Sequence, residues 1–207
     1  TLLKKIITGH TPSTTNKSYY SKEGTRLLKT NNVREFKIEH HDVQFISELG
    51  NNEIKDSELK EDDVLVTIIG ATEKIISRAS RISKDILPAN INQNIALIRS
   101  NLPSGYTSTY INSKYGKLQM YWLSRQTEQV NLNCKEVEQI KIPNLDSKFQ
   151  KFIHEKYIHA EQLSKKSKIF INSAENILLK DLNFLNWNPK NNLFFSHNFK
   201  KLESLNR

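Results

Sequence analysis

Between Ser147 and Leu182 the chain runs for 36 residues without a proline or a glycine, the two residues that most readily end a helix. Within that run Phe149, Ile153, Tyr157, Ala160, Leu163, Ser167, Phe170, Ala174 and Ile177 follow one another in eight steps spanning 28 residues. The mean step of 3.5 is the heptad repeat of a coiled coil, not the 3.6 of a free-standing amphipathic helix. The pattern predicts one helix over 147–182, about 54 Å long at 1.5 Å per residue, which is more than a single domain needs. Phe149, Ile153, Tyr157, Ala160, Leu163, Phe170, Ala174 and Ile177 are therefore expected to face a second helix. This run divides the chain into a domain at 1–146, a spacer or dimerisation helix at 147–182, and a connector or the start of a further segment at 183–207.

The first 146 residues are patterned differently, as short β-rich runs separated by polar turns, and predict an α+β fold with a mixed sheet and packed helices. Strands are expected at Thr25–Leu28, Val43–Ile46, Val64–Ile69, Ile75–Ser77 and Ile91–Ile98, with a strand-like stretch at Gln139–Ile142. Val64–Ile69 is β-branched, almost wholly apolar and closed by Gly70, as a strand buried on both faces would be. Tyr106, Tyr110, Ile111, Tyr115, Leu118, Tyr121 and Trp122 recur at three to four residues and predict a helix packed on the sheet, with Gly116 as a breaking point.

The 207 residues carry 31 Lys plus Arg against 22 Asp plus Glu, a formal charge of +9. Net charge is +3 up to Asp146 and +6 beyond it. An excess of this size favours polyanionic partners through counterion release, and nucleic acid is the expected one. No apolar run is long enough to span a membrane, and the stretch after Lys4 and Lys5 stops at Ile7, too short for a signal peptide. A lone Cys134 can form neither an internal disulfide nor a cysteine-based zinc site, so the expected compartment is reducing and cytoplasmic. The chain opens on Thr and reads as part of a longer one.

Familiar catalytic spacings fail on geometry. His154 and His159 are five residues apart, about 140° around a helix, and cannot share one zinc ion as the i, i+4 histidines of a zincin do. His40-His41-Asp42 places neighbouring side chains in divergent directions. Asp56, Glu58 and Lys60 hold the order of a metal-dependent nuclease, but in a polar turn and not on a sheet. Phosphate-cradling and nucleophile-elbow motifs are lacking. No metal and no cofactor are expected, and the enzymatic alternative rests on Asp56 and Glu58 alone; a helical assembly scaffold is the other competitor.

Three segments carry a resemblance. Gly9-His10-Thr11-Pro12-Ser13 with Tyr19-Tyr20 following, Asn90-Ile91-Asn92-Gln93-Asn94-Ile95-Ala96-Leu97-Ile98, and Asn131-Leu132-Asn133 leading to Ile140-Lys141-Ile142-Pro143 and Gln150 resemble, in that order, the DNA specificity subunit of type I restriction-modification systems. The departure lies at Asn144-Leu145-Asp146, where the family has a proline-rich turn. The resemblance implies a non-catalytic target recognition domain followed by a spacer helix. Its implied partners are double-stranded DNA, methyltransferase (modification) subunits and through them restriction subunits, and a second spacer helix from the same subunit or a homodimer. Arg and Lys suit guanine edges, Asn and Gln suit adenine, and basic groups also grip phosphates. The candidates for DNA contact are accordingly the loop residues Lys17, Tyr20, Lys22, Arg26, Lys29, Asn31, Asn32, Arg34, Lys74, Arg78 and Arg81, with Lys114, Lys117 and Arg125 on phosphates.

Overall fold

A computed structural model describes residues 3–70, 75–125, 130–182 and 184. The fold is α+β, and the chain divides into two compact units after Gln162. In the first unit β1 (Leu3–Thr8), β2 (Tyr20–Ser21), β3 (Thr25–Leu28), β4 (Val33–Arg34), β5 (Lys37–Ile38) and β6 (Gln44–Ile46) precede α1 (Glu48–Glu53). Then come β7 (Val64–Thr67), β8 (Ile69–Gly70), β9 (Ala79–Arg81), β10 (Ala89–Ile91) and β11 (Ile95–Ser100). Two helices, α2 (Ser104–Asn112) and α3 (Lys114–Leu123), are followed by β12 (Val130–Asn131), α4 (Cys134–Val137) and the long α5 (Ser147–Asp181).

One sheet has the order β1-β11-β7-β9, with antiparallel pairing throughout. Because side chains alternate along a strand, its two faces feed two cores. Val64, Val66, Ala96 and Ile98 pack with Tyr106, Ile111, Met120 and Val137 of the helices, while Leu65, Ile95 and Leu97 pack with Leu28, Ala89 and Ile91 of the second sheet. That sheet has the order β10-β3-β6-β2. A four-residue strand buried on both faces, as Val64–Thr67 is, explains the continuous apolar run, each fully buried aliphatic side chain contributing about 1.5–3 kcal/mol. Asp63, at the entry to β7, is buried but paired: Arg99 Nε and Nη2 donate to its two oxygens at 2.7 and 2.8 Å, and Arg99 also donates to the Glu58 carbonyl.

The segments that carried the family resemblance meet in space. A Cβ on Gly9 would fall 1.9 Å from the Ile91 carbonyl oxygen, so only glycine fits there. Thr11 donates to Gln93 Oε1 at 2.5 Å, and Tyr20 donates to the Pro12 carbonyl at 2.6 Å. Asn90 is fully buried and saturated, accepting from Ser57 and donating to Asn51 Oδ1 and the Ile54 carbonyl. Asn133 caps α4 reciprocally with Glu136. Asp146 accepts from the backbone of Lys148 and Phe149 and so starts α5, and buried Gln150 donates back to Asn144 Oδ1 and the Leu145 carbonyl.

Several local expectations are corrected. Ile75–Ser77 is a turn, with Ser77 at φ 62°, and the strand lies one step on at Ala79–Arg81. Ile91–Ile98 is two strands in different sheets, parted by a turn in which Asn92 Oδ1 accepts from Asn94 N–H. Gln139–Ile142 forms no strand. The expected single helix over Tyr106–Leu123 is two, broken not at Gly116 but at Ser113, whose hydroxyl caps α3 by accepting from Gly116 N–H. Tyr115, Leu118 and Trp122 are exposed instead of packed, Trp122 at 79%.

The first turns of α5 also depart from expectation. Tyr157 is buried against its own domain, its hydroxyl accepting from Arg81 N–H at 3.2 Å and its ring centroid 6.0 Å from that of Phe36. Ile153 packs on the helical core, and His154 Nδ1 accepts from Gly105 N–H at 3.0 Å. Ile153 and Tyr157 thus leave the expected partner-helix face, because the domain's own apolar surface takes them. Phe149, Ala160, Leu163, Phe170, Ala174 and Ile177 are exposed. Among the described residues no helix is long and apolar enough to cross a membrane.

Candidate nucleic-acid interface

Strands β4 and β5 form a hairpin too short for a core of its own, turning at Phe36 with φ 64°. It lies against β9, and Phe36 N–H donates to the Ala79 carbonyl at 3.0 Å. The hairpin, residues 76–78, the end of α2 and α3 line a cavity of about 1180 Å³ bounded by Arg34, Glu35, Lys37, Glu39, Ile76, Ser77, Arg78, Asn112, Lys114, Lys117, Leu118 and Tyr121. Four of the predicted DNA contacts, Arg34, Arg78, Lys114 and Lys117, converge here from three separate places in the sequence. Lys37 joins them; it was not singled out in the sequence, although its place three residues after Arg34 in a two-strand hairpin puts both at one site.

The cavity holds five cations and two carboxylates. Glu35 pairs with Lys117 and Glu39 with Lys37, so both acids are engaged by lysines. Partial burial lowers the Arg78 guanidinium's pKa, the Arg34 charge lowers it further, and Glu35 opposes the shift. A depression lined by more cations than carboxylates attracts an anion. Ile76, Ser77 and Asn112 form a buried floor, and Leu118 and Tyr121 offer exposed apolar surface beside the cations. Asn112 is spent on structure, its amide bonding both Ala79 N–H and the Ala79 carbonyl.

Other predicted contacts fall elsewhere or have structural roles. Arg81 is buried, bonding Asp62 Oδ1 at 2.6 Å, Glu161 Oε2 at 3.1 Å and Glu61 Oε1 at 3.4 Å, and is withdrawn from the DNA set because its donors are consumed. Asn32 is withdrawn for the same reason: it is fully buried, accepts from Lys29 N–H and donates to the Glu39 and His41 carbonyls. Arg26 donates to the carbonyls of Ile86 and Leu87, and Tyr20 is half-buried on Pro12. Arg125 pairs with Glu136. Lys17, Lys22 and Asn31 are exposed and Lys29 is half-buried. Lys74 lies outside the described residues. Asp56 is exposed on a single helical turn, Lys55–Ser57, and among the described residues no three His, Cys, Asp or Glu side chains are grouped to hold a metal ion.

No family model matches the sequence, and no curated protein does. A chain in a solved structure addressing complex assembly and conformational transition of the type I R-M system matches at a TM-score of 0.50 and 14% identity. The two share a fold. The match covers 86% of this chain and 41% of that one, so this chain spans about two fifths of the neighbour's length.

Proposed function

We propose that this chain recognises double-stranded DNA in a sequence-specific manner, as the non-catalytic specificity component of a type I restriction-modification complex. The observation that carries the reading is the convergence of Arg34, Arg78, Lys114 and Lys117, with Lys37, on one cavity. Cations so placed neutralise phosphates and set the register of the duplex, while neighbouring loops reach base edges. The fold shared with a chain of the type I R-M system and the three resembling segments support the same assignment. In this reading separate modification subunits methylate, restriction subunits cleave, and the exposed face of α5 through Leu163, Phe170 and Ile177 packs on a second spacer helix.

The test is duplex binding as a function of salt. Replacing Arg34 and Arg78 together by Ala should weaken binding at least tenfold and lower the slope of log K against log salt by about 2, since each phosphate contact contributes about 0.9. Affinity and slope that stay at the wild-type values would remove this site from the interface. Mg²⁺-dependent cleavage by the purified chain would favour the nuclease alternative instead.

A further inference from the structure

The hairpin that brings Arg34 and Lys37 to the cavity carries at its tip a residue ill-suited to its backbone. Strands β4 and β5 are joined by Glu35 and Phe36 alone, with Arg34 paired to Lys37. Phe36 holds φ 64° at the second position of this two-residue turn, where glycine or asparagine is the ordinary choice. A bulky side chain in the left-handed region is an outlier that persists only where its surroundings fix it. The ring does not serve to fill a core, since Phe36 remains 45% exposed. What it touches is Tyr157 on α5, centroid to centroid 6.0 Å with the planes at 51°, a tilted aromatic pair.

Both residues meet the outer edge of β9, the strand that closes the sheet β1-β11-β7-β9. Phe36 N–H donates to the Ala79 carbonyl at 3.0 Å, and the Tyr157 hydroxyl accepts from Arg81 N–H at 3.2 Å. The Arg81 guanidinium reaches back to α5 through Glu161. The base of the hairpin is anchored separately, Val33 and Ile38 being buried in the core between the two sheets. It is therefore the tip, with Arg34 and Lys37 on either side, that leans on α5. Resting on the DNA-binding reading above, we infer that Tyr157 is a positioning residue for DNA: its ring seats Phe36 and thereby holds Arg34 and Lys37 at the cavity. The early turns of α5 are in this way part of the recognition apparatus, although Tyr157 itself touches no DNA.

Phe36→Gly separates position from stability. Glycine adopts this φ without strain, so the melting temperature should not fall. Duplex affinity should nevertheless drop about fivefold or more, and the slope of log K against log salt by about 1–2, as Arg34 and Lys37 lose their place on phosphates. Tyr157→Phe should do the opposite: it removes the acceptor of Arg81 N–H and lowers the melt, but keeps the ring and leaves affinity within about twofold. Tyr157→Leu, which fills the site without an aromatic ring, should match Phe36→Gly in binding, and the two together should lose no more than either alone. The probe is a labelled synthetic duplex of arbitrary sequence, because phosphate contacts carry no sequence information. Wild-type affinity and slope in Phe36→Gly, or losses that multiply in the double variant, overturn the inference alone when Arg34→Ala/Arg78→Ala still weakens binding. A wild-type chain that binds no duplex, or an Arg34→Ala/Arg78→Ala variant that binds normally, overturns both.

Discussion

Arg81 shows how a basic residue in a predicted recognition loop can belong to the scaffold. Its guanidinium joins Glu61 and Asp62, just before β7, to Glu161 on α5, and its backbone N–H meets Tyr157. Arg81→Ala should leave these carboxylates without their shared cation and lower unfolding stability by about 2 kcal/mol in urea titrations, the partial exposure of Glu61 and Asp62 keeping the loss moderate. Duplex affinity per folded molecule should be unchanged. Burial by itself would raise the Asp62 carboxyl, but hydrogen bonds from Ser104 and Arg81 and the Arg81 charge together hold it below the ordinary carboxylate range. A depressed folded value means that its stabilisation is complete above the unfolded carboxylate pKa of about 4 and is lost as pH falls through the lower folded value. The acid limb of the stability curve should accordingly be steeper in the wild type than in Asp62→Asn. Sequence shows neither the carboxylates around Arg81 nor the backbone groups around Asn32, and so groups both with surface residues such as Lys17 and Lys22.

At the scale of elements, the crossing of α2 and α3 depends on Gly116, where a Cβ would lie 2.2 Å from the Tyr110 carbonyl oxygen and 2.6 Å from that of Ile111. Gly116→Ala should destabilise the domain by about 3 kcal/mol or more, seen as a lower urea midpoint, because backbone rather than a pliable side chain must move. The same helix marks the limit of periodicity as a guide. Spacing located a helical region between Tyr106 and Leu123 but made Leu118 and Tyr121 part of the core, whereas they line the cavity. The helix Ser147–Asp181 was legible because no proline or glycine interrupts it, and β7 because both its faces are covered. Strand β1 was not, since Lys4 and Lys5 break the apolar run of a sheet edge. The apolar residues Ile91 and Ile95, equally buried on either side of Asn92-Gln93-Asn94, concealed the passage between two sheets. The basic cavity was partly legible, its cations by type but their convergence only through the fold.

For the molecule as a whole, α5 changes company along its length. Its early turns supply Ile153, Tyr157 and Glu161 to the domain, while Leu163, Phe170 and Ile177, one heptad apart, are 54%, 71% and 66% exposed. Such a seam does not stabilise a helix unless another covers it. In the isolated chain the cover should be a second copy. Sedimentation at micromolar concentration should then show a dimer, and Phe170→Glu/Ile177→Glu a monomer with lower helicity. A wild-type monomer of full helicity would count against the pairing.

The pairing of β1 with β11, register Thr8↔Ala96, also sets an order of events during synthesis. Strand β1 must wait for a partner that is encoded roughly 90 residues later, a delay of about 5–20 s at ordinary elongation rates. Until then β1 is an unsatisfied edge, and the exposed Lys5 discourages pairing with another nascent chain.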